Sequence, residues 1–542
     1  MTDPEVGTGP GDELSRSNAA TDRRGLVSRF RGRGDFAGIA ALVALVFAYL
    51  SPALKDGGAF GSYDLVLPLT TLGNGLFSGA PHNALSSDGV SQMIAWNAFD
   101  WRAVHHLQFP LWNDLTLLGV PHFANFESAV LSLPDVVSYL APLKYAFLVA
   151  VAVKLLLAGT GTYAFCRVLG LRPLASTFGG ATFMLSGAFS SWLTWPLSDV
   201  MSWTGWIATL CVLSYRLPDR RRYVALLAGA TAFCLYGGFP EAYVFVMVTM
   251  AVLFGVASAF ALFRRAGLSF SGVLRVAFGV GAGGMLATPL LLPGLQVINL
   301  AHRETESGFP GAPARSLAMA VAPGYYGLPI KGSTFFLNRS NYYETAVAIG
   351  VVALVLAVVA VLRWPRHPAV VALVLASVVA LAVSYQTSSF DPVQSFLNHH
   401  GLGAVEWLRM RLVLGFTIGV LAAIGLETVT RLSREKRVVA GYLASAVLWA
   451  AVVALLAGHG LPKSAPRALR SLREQSLLWP VATVGVTAVA GALLLIARGR
   501  RRPRRHGASF GLAGIAATVL TGTQAGFLIF SGVGLNSYSH AF

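Results

Sequence analysis

Long apolar runs recur along this chain from residue 36 to residue 532, separated by short turns that are polar or basic. The hydrocarbon core of a bilayer is about 30 Å thick, and a helix needs about 20 apolar residues to cross it. Windows of that length find about thirteen candidates, at about 36–55, 143–166, 174–196, 199–216, 223–240, 242–263, 275–297, 344–362, 368–386, 411–430, 438–458, 478–497 and 508–532. The repetition predicts an all-α polytopic membrane protein with about thirteen transmembrane helices. Composition agrees, with 55% hydrophobic residues, 12% charged residues and a mean hydropathy of +0.62. A soluble multidomain protein of this length is excluded.

The net charge is +17, from 41 basic and 24 acidic side chains. A balance like this on one surface would suggest nucleic-acid binding. Here the basic residues crowd instead into alternate short loops, such as RLPDRRR (216–222), RLSREKR (431–437) and ARGRRRPRRH (497–506). With the N-terminus inside, the inner segments hold 27 basic and 9 acidic residues, the outer segments 13 and 15, and Lys154 lies within the second helix. Loops rich in lysine and arginine stay cytoplasmic, which predicts a cytoplasmic N-terminus and an extracytoplasmic C-terminus. The excess charge then serves topology and attraction to anionic membrane lipids, and no nucleic-acid partner is expected. Residues 1–35 read as a disordered cytoplasmic tail, the run after them as a retained first helix, and 431–542 as C-terminal transmembrane helices.

The larger outer segments are about 56–142, 298–343, 387–410 and 459–477, and loops of this length are seldom mere connectors. The first carries seven acids (Asp56, Asp64, Asp88, Asp100, Asp114, Glu127 and Asp135) against one arginine, Arg102, and four histidines. Two amphipathic stretches in it, 90–104 and 129–140, are predicted to lie along the membrane surface. Asp88 stands at the start of the first, with Gln92 and Trp96 one and two turns onward on the same face. It reads either as a plain N-cap, or as a general base or metal-binding carboxylate. Trp112, Asn113 and the GVP run at 119–121 suit turn closure. Trp192, Trp195, Trp203 and Trp206 read as an interfacial belt, with sugar stacking as the alternative. Glu241, in the short turn GGFPEAY, is either solvated or faces a site. The three cysteines, Cys166, Cys211 and Cys234, sit in apolar runs without metal-binding spacing. No metal site or cofactor is predicted, and a divalent cation on Asp88 with a second carboxylate is the alternative left open.

Several motifs recur in a definite order: Asp88, then PLWN (110–113), GVP (119–121), AN (124–125) and Glu127. FMLSGAFSSWLTWP (183–196), YGGFPEAY (236–243), LLPGLQVINLAHRE (291–304), APGYYG (322–327), NYYETAVAIG (341–350) and VEWLRMRLVLGFTIGVLAAIGLE (405–427) follow. Over residues 60 to 430 this series resembles the YfhO-like bacterial membrane proteins, which belong with the GT-C type of polytopic glycosyltransferases. The resemblance implies a GT-C-like membrane core over 36–430, with outer loops at 56–142 and 298–343. It also implies the bacterial cytoplasmic (inner) membrane as the location. The activity implied is transfer of a sugar from a polyprenyl-phosphate donor to a cell-envelope glycan, glycolipid or glycopolymer at the outer face.

Asp88 matches the family's first-loop aspartate, the base or acceptor-positioning group. Cations are needed at the donor phosphate, and Arg303, Arg409 and Arg411, with His302, fall in matching segments. Lys331 and Arg339 rank below them, and interfacial snorkelling is the alternative for each arginine. Gln92, Trp112, Asn113, Asn125, Glu127 and Glu241 are the candidate sugar and acceptor contacts. Many family members continue into further outer-face sequence where this chain ends at SYSHAF, so a protein partner is expected to replace that domain. The main alternative is a transporter or flippase for a lipid-linked glycan, which would need ionisable groups at the midplane and often inverted repeats. Lys154 is the one clear mid-helix charge and no repeat is visible. A non-catalytic membrane scaffold of envelope assembly is the third reading.

Overall fold

In lipid, every backbone N–H and C=O must find its partner within the protein, so each apolar run closes into a helix. The computed structural model describes residues 32–55, 58–65, 82–263, 268–300, 311–330, 341–386, 391–397, 405–459, 467–499, 511–536 and 538. Of the tail predicted at 1–35, residues 1–31 lie outside the described residues, and 33–35 are helical, forming the first turn of the helix that follows. The main helices are α1 (Arg33–Leu50), α2 (Ile94–His105), α3 (Leu143–Val168), α4 (Pro173–Met184), α5 (Thr204–Arg216), α6 (Arg222–Tyr236), α7 (Pro240–Phe263) and α8 (Phe270–Leu286). They continue as α9 (Thr288–Leu300), α10 (Val351–Arg363), α11 (Pro368–Ser384), α12 (Leu412–Arg431), α13 (Lys436–Gly458), α14 (Arg467–Gly499) and α15 (Leu512–Val533). The protein is an all-α polytopic membrane protein. Among the described residues the strands are two-residue pairs: β1 (Trp112–Asn113) antiparallel to β2 (Val120–Pro121), and β3 (Ala312–Pro313) parallel to β4 (Tyr385–Gln386).

The expected count of thirteen spans is not reached by length and composition. Among the described residues seven helices are long and apolar enough to cross a bilayer, or eight if the bent pair α8–α9 is one span. That pair turns through 63° at Ala287, just before Pro289, whose ring removes a backbone donor from the first turn of α9. The run at 174–216 breaks further, into α4, Gly187–Ser190, Pro196–Ser202 and α5, with Pro196 starting a new segment. Apolarity reports that a segment is buried in lipid or protein; it does not say that the segment crosses in one piece.

Lipid gives helices no hydrophobic reason to associate, so close packing depends on small residues. A Cβ at Gly205 of α5 would overlap the backbone of α3 at Gly161 and Thr162, and one at Gly425 of α12 would overlap the Leu356 carbonyl of α10. Phe178, Phe183, Phe189 and Phe416 are fully buried between these helices. Ion pairs gather at one end of the bundle: Arg167 with Asp35 at 2.6 Å, Arg172 and Arg431 with Glu427, and Arg363 with Glu435 at 3.2 Å. At the other end Asn536, just past α15, donates to the Tyr49 hydroxyl of α1 at 2.8 Å. Asn83 of the first loop donates to Leu535 O at 2.9 Å. The chain thus enters α1 at the basic end and leaves α15 at the first-loop end.

In that loop, the expected amphipathic stretch at 90–104 is helical, as a π turn over Gly89–Met93 running into α2. The one expected at 129–140 forms only the six-residue helix Leu133–Ser138: left-handed Ala129 (φ 51°) closes the turn before it, and Ser132 caps its start by accepting from Asp135 N.

Candidate functional site

Asp88 enters the π turn with helical backbone angles, and its side chain makes no capping bond. The N-cap expectation is therefore corrected: Asn83 caps instead, its side chain accepting from Leu85 N at 3.1 Å. Asp88 is exposed, and Ser87 Oγ donates to it at 3.5 Å. Beside it, Gly89 is buried against Thr194, with 3.3 Å from a Cβ position there to the threonine side chain. Ser86 and Asn83 bond the Tyr343 hydroxyl at 2.6 and 2.8 Å. The start of the first-loop helix is thereby fastened to the 183–196 segment and to the turn before α10. Gln92 is half-buried one turn further on.

Tyr343 links this turn to the second feature. Its carbonyl accepts from Trp192 Nε1 at 3.1 Å and also from the Arg411 guanidinium. Arg411 is fully buried and spends its other donors on Ala346 O (3.2 Å) and Leu408 O (2.9 Å), with Glu344 at 3.7 Å. It is a pin between the end of α12 and the 341–350 turn. Expected at the donor phosphate, it is fully buried here, and three of its five N–H groups bond carbonyls.

Arg409 lies beside it, with its guanidinium 5.0 Å above the Trp192 ring and 5.8 Å from the Phe239 ring. It makes a forked pair with Glu344 (2.7 Å), bonds Glu406 and lies 3.8 Å from Glu241. The cluster sets three carboxyl groups against two guanidiniums. Glu241 Oε1 is buried without a hydrogen-bond partner, facing Arg409 Nη1. The cluster thus offers acceptors to hydroxyl groups more readily than it offers a free cation to phosphate. Glu344 and Glu406 were not singled out by sequence; only folding brings them to Arg409. The tryptophans were read as a belt, but Trp192, Trp195 and Trp203 are buried at 6–8% exposure and form core walls.

A third polar group ties the parts of the first loop to one another. His122 Nε2 and Asp100 Oδ1 are 2.7 Å apart, both buried. Asp135 accepts from Asn97 (2.7 Å) and Ser132 (2.7 Å) nearby. Burial lifts the Asp100 carboxyl to about 7 against the opposing hydrogen bond from His122, and burial also raises Asp135. Lys154, the lone mid-helix charge of the sequence, pairs with Asp199 at 2.7 Å and donates to Leu193 O and Trp195 O.

Other predicted contacts lie in turns. Asn113 Oδ1 accepts from Leu115 N at 2.9 Å inside the β1–β2 hairpin, and Trp112 packs on Gly119 (φ 110°), where any side chain would collide with its indole. Asn125 Oδ1 accepts from Glu127 N at 3.2 Å, capping the turn Phe126–Ser128, in which Glu127 is half-buried. His302, Arg303, Lys331 and Arg339 lie outside the described residues. Among the described residues no three His, Cys, Asp or Glu side chains are grouped to hold a metal ion.

No protein-family model matches the chain, and no curated protein matches it. Among solved structures it is similar to ArnT from Cupriavidus metallidurans bound to undecaprenyl phosphate, with 13% identity and a TM-score of 0.44 over 92% of this chain and 77% of that one. The same protein in the apo state matches at 13% identity and a TM-score of 0.39, with the same coverage.

Proposed function

We propose that this protein is a membrane glycosyltransferase of GT-C type, akin to the YfhO-like proteins its motifs resemble. It would move a sugar from a polyprenyl-phosphate donor to a hydroxyl of an envelope glycan, glycolipid or glycopolymer at the outer face of the bacterial cytoplasmic membrane. The observation that carries this is the link through Tyr343: the turn bearing exposed Asp88 bonds the Tyr343 hydroxyl, and the Tyr343 carbonyl accepts from Trp192, the ring beneath Arg409 and its carboxylates. In the proposed step the acceptor oxygen bonds to the sugar's anomeric carbon as the bond to the donor phosphate breaks. Asp88 takes the hydroxyl proton, and polyprenyl phosphate leaves. Glu241 and Glu344 accept hydrogen bonds from sugar hydroxyls, and Arg409, steadied by its carboxylates and Trp192, fixes their geometry. Charge at the leaving phosphate falls to His302 and Arg303, with no cofactor required; a divalent cation on Asp88 is the alternative.

Membranes supplied with a labelled polyprenyl-phosphate sugar test this directly. Asp88→Asn should lower transfer by about 10²-fold or more, the usual worth of a positioned base. Equal transfer by both proteins would remove Asp88 from the mechanism while leaving the activity assigned. The buried Lys154–Asp199 pair favours a second reading, a lipid-linked glycan transporter, since such pairs mark membrane transport pathways. Absence of transfer by the wild type, with lipid-linked glycan crossing the bilayer of proteoliposomes, would select it.

A further inference from the structure

The β1–β2 hairpin carries an apolar surface that the proposed chemistry does not use. Leu107, Leu111, Trp112, Leu115, Leu117 and Leu118 are all more than half exposed, Leu107 at 96% and Leu118 at 104%. Leu107 (φ 58°), Leu117 (φ 49°) and Leu118 (φ 66°) adopt left-handed backbone angles that a branched side chain takes only under strain. Glycine or asparagine would relieve that strain, and a polar residue would suit water. Leucine does neither, so the segment suits an apolar environment.

The surface continues into one that faces lipid. At the hairpin's base Phe109 packs edge-on against Phe123 at 4.9 Å, and Phe123 clusters with Phe126, Val130 and Leu290 of α9. Phe126 rests on Gly294, and along the same helix Leu292, Leu295, Ile298 and Leu300 are 51–80% exposed. α9 belongs to the bent pair that is long and apolar enough to cross a membrane, so those side chains suit acyl chains. We infer that the β1–β2 hairpin is a membrane anchor seated in the leaflet on the first-loop side, its leucines in the acyl region beside α9. Exposed Asp114 at the tip keeps it shallow, at the boundary of headgroups and chains, and Arg102 and His105 in the last turn of α2 stand where lipid phosphates would be met. The inference rests on the fold alone and is independent of the proposed transferase activity.

The native cysteines are all buried, so a cysteine introduced at an exposed site can be labelled selectively. Leu118→Cys carrying a fluorophore, in the full protein reconstituted into phosphatidylethanolamine–phosphatidylglycerol vesicles, should be quenched by lipids with a nitroxide near the headgroup. The effect should be about threefold or more that seen for the same probe at Arg434→Cys, an exposed turn at the basic end. Replacing Leu117 with Asn should weaken the quenching while leaving thermal unfolding in detergent unchanged or raised. Quenching of the Leu118→Cys probe by aqueous iodide and not by lipid would overturn the inference by placing the hairpin in water. Protection from both quenchers would overturn it by placing the hairpin against protein.

Discussion

At Arg409 three carboxylates crowd one guanidinium within 3.8 Å, and the arginine is what makes their proximity tolerable. Arg409→Ala leaves Glu241 and Glu406 without that cation and Glu344 with Arg411 alone, at 3.7 Å. Breaking a largely buried pair costs on the order of 3–5 kcal/mol, so this variant should unfold at a clearly lower temperature in detergent. Arg409→Lys should recover part of the loss, since it keeps the charge and forfeits the fork. Asp100 makes a second prediction. Its carboxyl is lifted from 3.8 to about 7, so between those values the folded protein holds a proton that the unfolded chain has released. Stability should therefore fall as pH rises through that window and level off above it, and Asp100→Asn should flatten the profile measured by thermal unfolding. Asp88, Glu241 and Arg409 were legible as candidates because charge is rare in this chain. Glu344 and Asp100 were not, because their partners lie 65 and 22 positions away and composition does not reveal pairing.

Among the helices, contact distance is set by glycine. Gly425→Leu would drive a side chain into the Leu356 carbonyl and should separate α10 from α12, costing about 1–3 kcal/mol as overpacking does. Gly441→Leu, which has room beside α10, should change thermal stability little in the same assay. Lys154 and Asp199 join α3 to the broken 187–203 stretch. Lys154→Met alone should destabilise by leaving a buried carboxylate unpaired. The double change with Asp199→Leu should restore much of the loss, because well-packed apolar pairs replace buried ion pairs at little cost. The positions of the helices could be read from their apolar runs, nearly all of which became helical. The breaks at Leu185, Trp195 and Ala287 could not, since a run of apolar residues looks the same whether or not it is bent.

The bundle as a unit separates its ion pairs into two ends, with the arginine-rich turns at one and the acidic first loop at the other. If the basic end is cytoplasmic, a phosphatase fusion after residue 536 should be active outside the cell and one within 431–437 inactive; the reverse pattern would invert the topology. Hydropathy was enough to establish a polytopic helical protein, because partition into lipid acts on each segment separately. Which carboxylates meet Arg409, that Arg411 is spent on carbonyls, and that the tryptophans are walls and not a belt became visible only on folding. Those are contacts between segments distant in the chain, and their energies depend on distance, burial and geometry, none of which a linear order of residues contains.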